Sequence, residues 1–119
     1  MNQKEFINAI RIAVADSAKK SIESILANPP GRKPNRGDVE LSDWFKALDE
    51  ENKDFISRVI KRTADMAVFG FLCVLDGVRA IEYGPDKGNL NLYYEKNGNT
   101  ILLNDADEEY LHDIWNAVD

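Results

Sequence analysis

Few residues in this chain are of a type that does covalent or metal chemistry. One histidine (His112) and one cysteine (Cys73) occur among 119 residues, with no glycine-rich phosphate loop. Cys73 sits inside the uncharged run Met66-Ala-Val-Phe-Gly-Phe-Leu-Cys-Val-Leu75, where a thiol is shielded and behaves as a small hydrophobe rather than a nucleophile. A zinc site would need a second histidine or a cysteine pair. Glu109-Tyr-Leu-His112 matches the Glu-x-x-His unit of di-iron helical bundles, but those sites need the unit twice, together with further glutamates; here it occurs once. On a helical wheel Glu109 and His112 lie away from Leu111, Ile114, Trp115 and Val118, so both are expected to face solvent. No metal and no cofactor is therefore expected. A metal- or acid/base-dependent enzyme centred on Glu109 and His112 stays as an alternative.

A surface made by Asp105, Asp107, Glu109, His112, Asp113 and Asn116, beside Tyr93, is the leading place for binding. Charge is unevenly spread along the chain. Residues 1–37 hold seven Lys/Arg against three Asp/Glu, residues 38–65 five against eight, and residues 66–119 three against ten, giving −6 in all. An acidic C-terminal half gains little from phosphate neutralisation, which argues against direct nucleic-acid binding, and points to a basic protein partner. The one basic loop, around Arg32, Lys33 and Arg36, reads first as a solvated connection.

The elements that must position these residues follow from periodicity. Phe6, Ile10, Val14, Ala18, Ile22 and Ile25 advance by four and then three, predicting one long helix ended by Asn28-Pro29-Pro30-Gly31. Pro29 to Asp38 reads as a loop, and Ser42 as the cap of a short helix, Asp43 to Leu48, that packs Trp44 and Phe45 in the core. The acidic cluster Asp49-Glu-Glu51 and Asp54 suits the first turn of a central helix, where it complements the helix dipole. That helix ends in the apolar run, stops at Asp76-Gly77, and is expected to bury Phe69, Phe71 and Leu72. At ten residues the run is too short to span a bilayer, which takes about 20.

Beyond Gly77 the period becomes two. Val78 to Glu82 reads as a short strand, and Asn97-Gly98 as the two-residue turn of a hairpin that sets Tyr94 opposite Ile101 and Leu92 opposite Leu103. Leu90, Leu92, Tyr94, Ile101 and Leu103 then form the core face, with Asn91, Tyr93, Glu95, Thr100 and Asn104 on the wet face. A last helix is predicted from Asn104 or Asp105, with Asp107, Glu108 and Glu109 in its first turn and Leu111, Ile114, Trp115 and Val118 buried. The expected architecture is a single α+β domain, its N-terminal two-thirds helical, packed on a small antiparallel sheet and closed by a C-terminal helix. The opening residues Met1 to Phe6 read as the start of an amphipathic helix and not as a secretion signal. With a lone buried cysteine this suggests the cytoplasm.

The stretch Val68-Phe-Gly-Phe-Leu-Cys-Val-Leu-Asp-Gly-Val-Arg-Ala-Ile-Glu82, followed by Gly88-Asn-Leu-Asn-Leu-Tyr-Tyr94, Leu102-Leu-Asn-Asp105 and Tyr110-Leu-His-Asp-Ile-Trp115, resembles small acidic bacterial immunity proteins of polymorphic or contact-dependent growth-inhibition toxin systems. The resemblance implies a cytoplasmic, non-enzymatic inhibitor of a toxin domain, and it transfers no active-site residue. Masking a basic, nuclease-like cleft with an acidic surface is the function it suggests. A structural subunit that uses the hairpin edge is the further alternative.

Overall fold

The computed structural model describes residues 1–117. The fold is α+β with a helical majority: α1 (Gln3–Ile10), a π-helical segment (Arg11–Asp16), α2 (Ser17–Ala27), α3 (Arg36–Lys46), α4 (Glu50–Leu75), β1 (Tyr93–Lys96), β2 (Asn99–Leu102) and α5 (Leu111–Asn116). Among the described residues no helix is long and apolar enough to cross a membrane. The chain divides into two compact units, one of Met1–Ile12 with the chain from Met66 onward, the other Ala13–Asp65.

In the Ala13–Asp65 unit, α3 is longer than predicted and starts earlier. Asn35, not Ser42, is its cap, its Oδ1 accepting from the backbone of Gly37 at 2.8 Å and Asp38 at 3.3 Å. Asn is a strong cap, and its signal was hidden by Gly37 and the nearby prolines. Ser42 lies buried in mid-helix, where its hydroxyl donates to the Leu26 carbonyl at 2.8 Å and so fixes α3 on the end of α2. Trp44 is 51% exposed, contrary to its expected place in the core, while Phe45 is half-buried. Asp49 caps α4 by accepting from Asn52 at 2.8 Å, with Glu50 and Glu51 in the first turn as predicted, while Asp54 falls just past it.

The N-terminal helix also departs from its predicted face. Ile7, Ala15 and Leu26 are buried, whereas Val14 and Ile22 are exposed. Beyond α1 the π-helical segment explains the change, because i→i+5 bonding puts extra residues into a turn and breaks the phase of a 3.6-residue repeat.

The other unit buries Ile7, Val68, Leu72, Cys73, Leu103, Leu111, Ile114 and Trp115. Leu72 is in this core, Phe69 is half-buried, and Phe71 is 61% exposed. Even an uncharged helix has an outer side, and at 100° per residue Phe71 falls well off the Val68–Leu72 line. The end of α4 is a Schellman motif: Val78 N–H donates to Cys73 O at 3.0 Å and Gly77 N–H to Val74 O at 3.1 Å. Gly77 has φ +76°, which glycine adopts without the Cβ penalty.

Val78–Glu82 is irregular and exposed, not a strand, and among the described residues it pairs with neither β1 nor β2. The hairpin has the predicted register: Tyr94 pairs with Ile101, and Leu103 N–H donates to Leu92 O at 2.8 Å. Asn97 and Gly98 both have positive φ, 52° and 78°. The core face is only partly covered. Leu103 is buried, Leu92 and Tyr94 are half-buried, and Leu90 and Ile101 are exposed. The last helix begins at Leu111, not at Asn104 or Asp105, and Val118 lies outside the described residues.

Candidate functional site

The predicted acidic helix face is in fact an acidic turn followed by a short helix. Asp105 Oδ1 accepts from Asp107 N–H at 3.0 Å, and Asp105 O from Glu108 N–H at 3.1 Å. Local carboxylate-to-backbone bonding of this kind competes with helix formation, and the neighbouring charges Asp105, Asp107, Glu108 and Glu109 repel one another when wound into one turn. These carboxylates therefore precede the helix instead of occupying its first turn.

Two side chains from α1 and the end of α4 hold this turn. The Gln3 Nε2 amide donates to Leu103 O and to Glu109 O, both at 2.8 Å. A single amide thus ties together the two ends of the acidic segment. Gln3 is itself fixed at the start of α1, where Asn2 and Glu5 form a reciprocal capping box. Asp76 then supplies the cap that α5 lacks locally. Its Oδ1 accepts from Leu111 N–H at 3.0 Å and its Oδ2 from His112 N–H at 2.8 Å.

His112 does not face solvent as predicted. Its side chain is 16% exposed, and Nδ1 lies 2.6 Å from Asp76 Oδ2, whose side chain is 2% exposed. A carboxylate already accepting backbone N–H groups accepts again here, so Nδ1 carries the proton. Nε2 lies 3.4 Å from Asp113 Oδ1. Tyr110 stacks on the imidazole at 5.3 Å and Phe69 meets it edge-on at 5.9 Å. The partner of His112 is therefore Asp76 and not Glu109, whose side chain is exposed. Among the described residues no three His, Cys, Asp or Glu side chains are placed to hold a metal ion.

Asn104 departs from the wet face assigned to it. Its amide donates to Leu75 O at 2.6 Å and Leu90 O at 2.7 Å, and its Oδ1 accepts from Leu92 N–H at 2.8 Å. This clamp joins the end of α4, the irregular segment and the hairpin. Beside it lies an open groove of about 590 Å³ lined by Arg79, Lys87, Asn89 and Asp105 among others. On the far side, Arg11 donates to Trp115 O at 2.7 Å and stacks over the indole at 3.8 Å, fixing the end of α5 to the end of α1.

Of the predicted binding residues, Tyr93, Asp107, Glu109, Asp113 and Asn116 are exposed, and Asp105 and His112 are half-buried. Asp105 meets Asp107, and His112 meets Asp113. Tyr93 stands apart on β1, with no hydrogen bond or ion pair to the acidic residues among those described. The roles of Gln3, Asp76 and Asn104 are hidden in the sequence because their partners lie 12 to 106 positions away, which no local spacing encodes. Compared with protein families, curated proteins and solved structures, the chain finds no match.

Proposed function

We propose that this chain is a non-enzymatic protein-binding inhibitor that docks a basic partner on the carboxylates from Asp105 to Asp113. The observation that carries the reading is the Gln3 clamp, which holds both ends of the acidic turn at 2.8 Å and keeps its charges on a fixed frame. Acidic side chains left on a free loop would have to be ordered during binding, whereas a preorganised turn avoids that cost. The excess of ten Asp/Glu over three Lys/Arg in residues 66–119 adds a long-range field that steers a basic partner to this side. In this reading the partner is a cytoplasmic toxin domain of nuclease type, since a phosphate-binding cleft is already positive, and the inhibitor masks its active site.

The test is co-expression with the product of the neighbouring gene. A stable complex that co-purifies, and whose nuclease activity falls as the acidic protein is added to stoichiometry, supports the reading. A neighbouring product that neither co-purifies nor loses activity contradicts it.

A further inference from the structure

The hairpin beside the acidic turn has only two strands, so each strand has one edge without a partner. Which backbone groups point outward follows from the register. Leu103 N–H donates to Leu92 O at 2.8 Å, which makes Leu92 and Leu103 a hydrogen-bonded pair. Bonded and non-bonded pairs alternate along an antiparallel ladder, so Tyr94–Ile101 and Lys96–Asn99 are bonded pairs, while Tyr93–Leu102 and Glu95–Thr100 are not. The N–H and C=O groups of Thr100 and Leu102 therefore point away from β1. Among the described residues no hydrogen bond ends on them.

The two edges are chemically different. β1, Tyr-Tyr-Glu-Lys, carries Glu95 and Lys96, charges of the kind that discourage strand addition. β2, Asn-Thr-Ile-Leu, has no charge and no proline, and Ile101 is left 40% exposed. Its chain then runs through Leu103 and Asn104 straight into Asp105, Asp107, Glu108 and Glu109. An open, uncharged edge thus continues directly into the acidic turn.

We infer that the outer edge of β2 is a docking edge, where an extended basic segment of the partner adds to the hairpin as a third strand through Thr100 and Leu102. This rests on the inhibitor reading above and specifies its binding mode. Main-chain hydrogen bonds to the edge supply affinity in such an addition, and alternating side chains supply selectivity. The segment that fits has apolar residues to lie beside Ile101 and lysine or arginine residues where it passes Leu102 towards the carboxylates.

The probe is a short blocked peptide of alternating lysine and valine, added to the full chain and followed by amide hydrogen exchange and NMR shifts. The amides of Thr100 and Leu102 are expected to exchange several-fold more slowly with the peptide present, while those of Tyr93 and Glu95 keep their rates. Thr100→Pro removes an outward N–H that the hairpin does not use, and proline is tolerated at such edge positions. The Tyr94 to Ile101 contacts should persist in this variant while the peptide-dependent protection of Leu102 disappears. Glu95→Pro, the matching change on the other edge, should leave peptide binding at its parental strength. Edge docking is overturned if Thr100 and Leu102 gain no protection, or if the protection of Leu102 survives Thr100→Pro. Shifts confined to residues 105–113 would refute the added strand and leave the acidic face standing. If neither region responds, edge docking falls, and co-expression with the neighbouring gene product judges the inhibitor reading separately.

Discussion

Asp76 and His112 are joined twice: one carboxylate oxygen accepts both the backbone N–H of His112, at 2.8 Å, and its ring Nδ1, at 2.6 Å. The residue that ends α4 thereby starts α5 and sets the orientation of the only imidazole in the chain. The acidic turn lies between the two carbonyls that Gln3 holds, directly before this joint.

Replacing Asp76 with Ala leaves the Leu111 and His112 N–H groups and the ring Nδ1 without their acceptor. Charge-assisted hydrogen bonds and lost caps each cost on the order of 1 to 3 kcal/mol, so a loss of about 3 kcal/mol is expected in urea denaturation. His112→Ala keeps the cap and should cost less. Equal losses in the two variants would show that the ring contact, not the cap, is what matters.

Gln3→Ala releases both ends of the acidic turn at a cost of about 1 kcal/mol. Amide exchange at residues 105–109 should speed up several-fold while the amides of α4 keep their rates. Unchanged exchange in the turn would mean that it is held by its own Asp105 bonds alone.

Phe71→Ala should alter stability by less than about 1 kcal/mol, because its ring is largely exposed, whereas Leu72→Ala should cost about 2 to 5 kcal/mol through lost burial and a cavity. Denaturation midpoints of the two variants check this. A larger loss for Phe71→Ala would place Phe71 in the core after all.

Gly98→Val forces a β-branched residue to φ 78° in the hairpin turn, where the steric penalty is about 1 to 2 kcal/mol. The hairpin contacts between Tyr94 and Ile101 should weaken in NMR spectra. Their persistence at full strength would show that the register is set elsewhere.

The parts of the fold legible in the sequence were those fixed by near neighbours. The Asn97-Gly98 turn and its register, the stop at Asp76-Gly77 and the acidic start of α4 all depend on contacts within a few residues. The outer side of the Phe71 run, the widened turn in Arg11–Asp16 and the late start of α5 depend on packing or on distant acceptors. A helical wheel placed Glu109 and His112 together on solvent because it assumed a helix from Asn104, and the Asx turn at Asp105 removes that assumption. Of the candidate site, the carboxylates are legible in the sequence and the frame that holds them is not, since Gln3 and Asp76 reach it from far along the chain and Asn104, next to Asp105, bonds groups 12 to 29 positions away.

Under the proposed inhibitor function, the charge of the acidic turn and α5 drives encounter with a basic partner. Glu109 and Asp113 are exposed, so reversing both to Lys should change stability by only about 0.5 kcal/mol. Stopped-flow mixing of this double variant with the partner at two ionic strengths measures that contribution. Association several-fold slower than the parent at low salt, with a flattened salt dependence, is the expected result. An association rate equal to the parent's at low salt would place the interface away from this face.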